Sequence, residues 1–598
     1  MDILLSLLSR FSFQAWAVVG LATFALLSLS KAFSKGHLGK LPPGPRGWPI
    51  IGNVFDIPDE YPWKVYRRWG QEFDSEIITL KLPGPPLLVL NSAKAADELL
   101  IKRSAIYSDR PRLVMLNELI RADWNIALMP YGERFKAARK LFNKHIDIPY
   151  CRPQAVVAVR KCLKDLLAAT KHHDPIIRLM TGRFILASGY GIDVDSANDP
   201  YIEISETFIK SISHATQRGA FLVDVFPILK YWPSSFPGAG FKHFAARLRK
   251  LADDARTLPF KFTQDELAKG TAKRSFATRF LETMREDTPS SEINDVEAII
   301  GNMYIAGADT TVLAMRTFVL AMALNPTIQK KAQQIVDAAL GGRLPDFNDF
   351  GKIPYIDAIV NETLRWKPPL PISIPHGATE DDHYNGFYIP KGSIVVANIC
   401  AILQDEEVYG PNTDLFNPER FLNEAGEFNK NLSTEAAFGY GRRQCPGKVM
   451  AKELMWMAIT SILATFDIHS AIDEHGQPLK PNVDYGPIGN LNYPPHFECS
   501  FHSTSLPQLK AYMIFHECIS VLKVGSVQDP LTLRIETTKL KKVGVLRTVA
   551  DIDPLGFHHN LSYQLSLIIH VYSMGPGCSS MGPYRSSFPF NILDADSD

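Results

Sequence analysis

The stretch FGYGRRQCPG, residues 438–447, sets one cysteine, Cys445, among glycines and arginines. Gly439, Gly441 and Gly447 strip side chains from the segment, so backbone N–H groups can come close to one sulfur. Helical spacing over residues 447–466 puts Cys445 just before a helix N-terminus, where the dipole favours a thiolate. Arg443 adds a positive charge suited to a carboxylate on a bound cofactor. A lone cysteine is more commonly a small buried hydrophobe. Here the surroundings suggest a metal-bound thiolate, with Phe438 packed beside the cofactor. One thiolate without companion protein ligands suits haem iron, whose in-plane ligands come from the porphyrin.

A second group of reactive types is AGADTT, within SSEINDVEAIIGNMYIAGADTTVLAMRTFVLAMALNP. This segment reads as one helix of about 35 residues and about 50 Å. Ser290 or Ser291 is the expected cap, Glu292, Asp295 and Glu297 suit the positive end, and Pro326 ends it. Its C-terminal half is apolar on nearly all sides, so it is expected to be buried. Ala306, Asp309, Thr310 and Leu313 share a face, and Gly307 and Ala308 leave room for something against the backbone. A buried Asp is costly without partners. Two plain readings stand beside a catalytic one: Thr310 bonds back to the Ala306 carbonyl and bends the helix, or Asp309 pairs with a base elsewhere.

A third group is structural in expectation. Glu362 and Arg365 stand at i, i+3 on a helix that Pro368 ends, by default a modest surface pair. Arg420, in NTDLFNPERF, could join them and lock its loop onto that helix.

The elements that must position these groups are mostly helices. Short β-type runs occur at residues 77–82, 87–90 and 392–398, which describes a mainly α fold with a small sheet. The chain has 598 residues, 46% of them hydrophobic, enough for a sizeable core. Lys and Arg total 64 against 63 Asp and Glu, so bulk charge favours no nucleic-acid partner. Seven cysteines without paired CxxC spacing argue against a disulfide framework or a zinc cluster. Residues 11–30 carry no charge and, at about 1.5 Å per residue, could just cross roughly 30 Å of hydrocarbon. The run is long for a signal peptide, and no Ala-x-Ala site follows, so a retained anchor over residues 1–31 is expected. Lys31, Lys35, Lys40 and Arg46 follow it while only Arg10 precedes it, which leaves the body in the cytosol. A proline-rich elbow, residues 32–60, joins anchor and body.

Taken in order, FGYGRRQCPG, AGADTT, ETLR and PERF resemble the haem loop, the oxygen-activating helix and the ExxR core of the cytochrome P450 family. The resemblance runs from the elbow to about Pro507, some four-fifths of the chain. Four motifs in one order make chance agreement very small, whereas ExxR by itself would be weak. In detail the chain is most similar to fungal endoplasmic-reticulum members of the O-methylsterigmatocystin oxidoreductase type.

The resemblance implies a cytochrome P450 fold preceded by an N-terminal transmembrane helix, with a haem-thiolate domain over residues 61–507. Haem b, iron protoporphyrin IX, would take Cys445 as axial ligand. Arg139, Arg443 and His376 would meet its propionates, and Phe438 and Gly447 would lie against it. GERFKAARK matches a W-x-x-x-R segment with Phe135 at the Trp position, so an indole hydrogen bond is missing. Asp309 and Thr310 would organise water and proton delivery, and Glu362, Arg365 and Arg420 would be structural. The reaction implied inserts one atom of O2 into a lipophilic small molecule, a secondary metabolite or xenobiotic. Electrons would come from NADPH through cytochrome P450 reductase, docked near Arg442 and Lys448, with cytochrome b5 as a further donor. The expected location is the endoplasmic-reticulum membrane, single-pass, with a cytosolic catalytic domain. An isomerase or dehydratase on the same fold, and a non-catalytic membrane haem protein, are the alternatives. Residues 508–598 carry no motif of the family.

Overall fold

The computed structural model describes residues 39–504 except 50, 216–220, 474, 476, 480 and 489–490, together with Gly20. The chain divides into Met1–Ser505 and Leu506–Asp598, and the second unit lies outside the described residues. So does the expected anchor, apart from Gly20.

Ten longer helices carry the body. They are α1 (Pro62–Glu72), α2 (Glu133–His145), α3 (Ile148–Ala168), α4 (His173–Tyr190) and α5 (Pro200–Ala215), then α6 (Gly240–Ala268), α7 (Ser290–Leu324), α8 (Pro326–Leu340), α9 (Pro354–Trp366) and α10 (Lys448–Leu463). Strands are few and short: β1 (Ile77–Leu80), β2 (Leu87–Leu90), β3 (His376–Gly377), β4 (Asp382–Tyr384), β5 (Phe387–Ile389), β6 (Ile394–Ala397), β7 (Phe466–Ser470), β8 (Gly486–Ile488), β9 (Leu491–Tyr493) and β10 (Cys499–Ser503).

The main sheet has the order β1-β2-β6-β3, with β2 and β6 parallel and the other pairs antiparallel. Its strands β2 and β6 read as unbroken apolar runs because both faces are covered. Ile77, Leu88, Leu90 and Val395 enter one core, whereas Ile78, Leu80, Leu87, Val89 and Val396 enter another. Alternation at period two deals one strand into both. Pairing with Val395 also fixes His376 in β3. Three two-stranded ribbons complete the β structure: β4 with β5, β7 with β10, and β8 with β9.

The proline-rich elbow is fastened to the sheet and to the β4–β5 ribbon over its described part. Pro43 O accepts from Thr79 N of β1 at 2.8 Å, and Lys40 O accepts from Tyr388 N of β5 at 2.9 Å. Prolines lack donors, so these two contacts are made by carbonyls of the segment.

Helix α7 has the expected length, 35 residues. Its cap differs: Pro289 holds that position with φ −62° and ψ 139°, and neither Ser290 nor Ser291 caps by its side chain. Pro326 begins α8 after a one-residue break at Asn325. Among the described residues α7 is the one helix long and apolar enough to cross a membrane, and most of its apolar stretch is buried in the body. It packs against α2, α4, α5, α6, α9 and α10, which explains apolar residues all round. At Gly307 a Cβ would stand 2.8 Å from Ile185 Cδ1 of α4. The room foreseen there is therefore used by a neighbouring helix.

Candidate active site

The cysteine loop is a closed hairpin before α10. Cys445 N–H donates to Phe438 O at 2.8 Å. Gly441 turns the chain with φ +51°, and a Cβ there would stand 2.3 Å from the Leu100 carbonyl oxygen. No residue with a side chain satisfies both demands. Gly447 caps α10, and its backbone N–H donates to the Cys445 sulfur. Of the five described cysteines, all with free thiols, Cys445 is exposed and the other four are buried. Protein still encloses it on most sides. That desolvation pushes its pKa up, against the Gly447 N–H and the charges of Arg139 and Lys448. Phe438 is half-buried, with Lys452 Nζ 5.4 Å from its ring centre.

Three arginines converge beside this loop. Arg443 donates from Nε to Ser108 O at 2.7 Å, from Nη1 to Ile126 O at 3.2 Å and from Nη2 to Met129 O at 2.8 Å. Its guanidinium stacks 3.9 Å from the centre of the Phe135 ring. Phe135, buried at the position where a Trp was expected, thus holds Arg443 by cation–π contact. Arg139 donates to Gln444 O at 2.9 Å. The third, Arg110, was not singled out from the sequence, since it lies in no motif. It donates to Ala127 O at 2.7 Å and to Ile374 O and Pro375 O at 3.1 and 2.7 Å. Burial lowers the pKa of all three, that of Arg443 to about 10. Among the described residues no carboxylate forms an ion pair with any of them. Asp109 contributes only a field, its Oδ1 accepting from the backbone N–H groups of Arg110 and Tyr131.

His376 is buried next to this group. Burial first, and the Arg110 charge second, hold its pKa down at about 3. Its Nδ1–H donates to Tyr107 O at 2.8 Å, which leaves a lone pair at Nε2. It can donate to a carboxylate from Nε2 only when protonated, and a carboxylate beside it would favour that form.

A porphyrin with two propionates fits this donor set. Buried cations call for anions, which the described residues do not supply, and an accessible thiol can ligate a metal. Among the described residues no three His, Cys, Asp or Glu side chains group as a metal site, so one thiolate is what the protein offers iron that brings its own ring of ligands.

On α7, Ala306 is exposed although residues 298–305 and 311–323 are buried. Thr310 shares the opening, whereas Leu313, predicted on the same face, is buried. Thr310 Oγ1 donates to Ala306 O at 2.9 Å, as the plain reading of that residue held. Toward the opening it therefore offers lone pairs. Asp309 is 6% exposed and accepts from the Tyr493 hydroxyl of β9. Burial raises its pKa, and the Tyr493 hydrogen bond opposes that rise. Its direct partner is thus a phenol and not a base.

Glu362 and Arg365 are fully buried, not a surface pair. Arg365 grips the carboxylate bidentately, at 2.6 Å from Nε and 2.8 Å from Nη2. Asn417 N–H donates to the same carboxylate at 2.7 Å. Arg420 approaches it at 3.6 Å, and its fork holds the carbonyls of Tyr409, Pro411 and Asn412. A different cysteine, Cys499, lies 3.3 Å from His173 Nδ1. Both are buried, and desolvation pushes the thiol up to about 12 and the imidazole down to about 4, so this pair is inert packing. Lys448, expected on a docking surface, is bound to Glu435 at 2.6 Å, while Arg442 is exposed and donates to the Tyr131 hydroxyl.

Comparison with known proteins supports one family. The cytochrome P450 family model matches residues 42–486. The cytochrome P450 monooxygenase eriA of Hericium erinaceus is 42% identical over 483 residues, 80% of this chain and 91% of that protein. The monooxygenase ple1 of Rhodocybe pseudopiperita is 40% identical over 79% of this chain and 90% of its own length. One from Armillaria gallica is 39% identical over 81% and 96%. Members of this family take electrons from a redox partner and act on lipophilic substrates. An accessible thiol, arginines with no carboxylate partner among the described residues and this breadth of similarity converge: the chain belongs to the cytochrome P450 family and is a monooxygenase whose haem is held by a cysteine thiolate.

Proposed function

We propose that Cys445 is the axial thiolate and that it faces Ala306 and Thr310 across one chamber, in which a lipophilic secondary metabolite is oxidised. The observation that supports this most is the exposed Cys445 thiol beside three arginines that have no carboxylate partner among the described residues. Haem iron bound to a thiolate activates O2, placing one atom in the substrate and releasing the other as water. Arg110, Arg139 and Arg443 would hold the propionates, and His376 would join them when protonated. Phe438 would pack against the bound haem. The Gly447 N–H takes negative charge from that sulfur and so tempers its basicity.

Thr310 holds water by its lone pairs, because its own proton is committed to Ala306 O. Asp309, one residue away, passes a proton to that water and takes another from solvent. Apolar Val114, Met115, Leu116, Ile120 and Ile126, all buried along the 107–129 segment, exclude bulk water and suit a lipophilic substrate.

Electrons reach the site from NADPH through cytochrome P450 reductase, with Arg442 as the cation exposed beside the cysteine loop. The proposed location is the endoplasmic-reticulum membrane with the body in the cytosol. Exposed Leu222, Ile228, Tyr231 and Phe236 in one segment support contact with lipid. Kinship to the O-methylsterigmatocystin oxidoreductase type rests on the style of the motifs and of the N-terminal segment.

Thr310→Ala tests the reading. Alanine is the better helix former, so haem content and substrate binding should survive. Product formed per NADPH should fall roughly tenfold, because solvent water replaces part of the lost function, while hydrogen peroxide rises. An unchanged ratio would reduce Thr310 to the helix-bending residue of its plain reading.

A further inference from the structure

Tyr493 reaches Asp309 from a part of the chain that no catalytic motif covers. The β8–β9 ribbon is held to the core at two points. Tyr485 Oη and Thr317 Oγ1 of α7 lie 2.9 Å apart. Asn492 donates from its backbone N–H to Pro369 O at 2.9 Å and from Nδ2 to Pro368 O at 3.3 Å. The next residue, Tyr493, is 9% exposed, and its hydroxyl donates to Asp309 Oδ2. Among the described residues this is the hydrogen bond that the Asp309 carboxyl receives. The charges that act on it from elsewhere stand on α4 and α5. Arg178 pairs with Glu206 at 2.5 Å, and Lys210 lies 3.4 Å from the same carboxylate. Their fields on Asp309 have opposite signs, Glu206 against Arg178 and Lys210. Orientation is left to Tyr493.

We propose that Tyr493 is a positioning residue for proton supply: it ties down Oδ2 of Asp309 and so leaves Oδ1 as the oxygen that takes up a proton and passes it to the water held by Thr310. This rests on the role given to Asp309 above. Burial and the adjacent Asp309 carboxyl raise the Tyr493 pKa, so the phenol remains a donor throughout the working range. Its donation also favours the charged carboxylate, against the burial that favours the neutral acid. A rigid ring anchored by Asn492 gives the carboxyl one rotamer where a lysine or arginine would allow several.

The experiment uses the full-length, haem-loaded protein in four forms: unaltered, Tyr493→Phe, Asp309→Asn and Tyr485→Phe. Product per NADPH is measured from acid to alkaline pH. Separately from turnover, the carboxyl stretching band that Asp309→Asn removes is titrated by infrared difference spectroscopy. Tyr493→Phe should move the midpoint of both curves to higher pH by about one unit or more, the shift expected when a hydrogen bond to a carboxylate is lost. Tyr485→Phe loosens the same ribbon without touching Asp309 and should leave both midpoints in place. Coupling that survives Asp309→Asn would remove the role of Asp309 itself. Uncoupling by Asp309→Asn with both curves unmoved in Tyr493→Phe would overturn the Tyr493 inference by itself. An equal shift in Tyr485→Phe, or loss of haem in Tyr493→Phe, would likewise overturn it and mark Tyr493 as a support of the fold.

Discussion

Arg365 and Arg420 meet their carboxylate within the chain, whereas Arg110, Arg139 and Arg443 find only carbonyl oxygens. Both groups are buried or half-buried, and both hold loop carbonyls. The first is closed around Glu362, whose one carboxylate faces both guanidiniums, the arrangement expected of a structural brace. The second is left with positive charge in a place that opposes it, shown by depressed arginine pKa values. The presence of a carboxylate partner, more than residue type, therefore separates the expected brace from the proposed binding site.

The largest change expected comes from the sulfur that the open group surrounds. Cys445→Ala should abolish turnover and the thiolate type of reduced, CO-bound spectrum entirely, because no neighbouring side chain is a soft anion. A retained spectrum would move the ligand elsewhere in the chain. Next comes the closed cluster. Glu362→Ala leaves Arg365 buried and unpaired, which should cost about 3–5 kcal/mol and reduce folded protein with and without haem. Equal yields of folded protein would show that the carbonyls of Leu403, Thr413 and Leu415 suffice for Arg365.

Arg443→Gln should produce the smaller, asymmetric effect that sets the two groups apart. Haem affinity should weaken by about 1.5–3 kcal/mol, the worth of a hydrogen bond to a charged group. The melting temperature of the haem-free protein should change little, since a burdened cation leaves along with its carbonyl bonds. Equal losses in both forms would class Arg443 with Arg365. Titration of haem into each variant, followed by thermal unfolding, reads both quantities.

Legibility from sequence followed the same division. Helix α7 and strands β1, β2 and β6 could be read directly because burial on most sides leaves mainly apolar runs. The cysteine loop was legible because glycine and charge at fixed spacing have few other uses. The burial of Glu362 was not: i, i+3 spacing places two charges on one helix face and says nothing of what covers that face. Tyr493 escaped notice because β9 is three residues long and shows no periodicity. Phe135 was read as the loss of an indole, when its gain, a flat surface for Arg443, needs a contact across 308 positions of chain that only folding supplies. The serine cap failed because Pro289 already fixes an extended φ/ψ at the helix start.

Arg110 and Arg443 hold the segment from Ser108 to Met129 through the oxygens of Ser108, Ala127, Ile126 and Met129. Every amino acid carries that oxygen, so the attachment is indifferent to which residues stand there. The side chains of this segment, which would wall the proposed chamber, can then be exchanged while the loop stays clamped in place. A duplicated gene could explore new substrates by point substitution in this segment without first losing its haem.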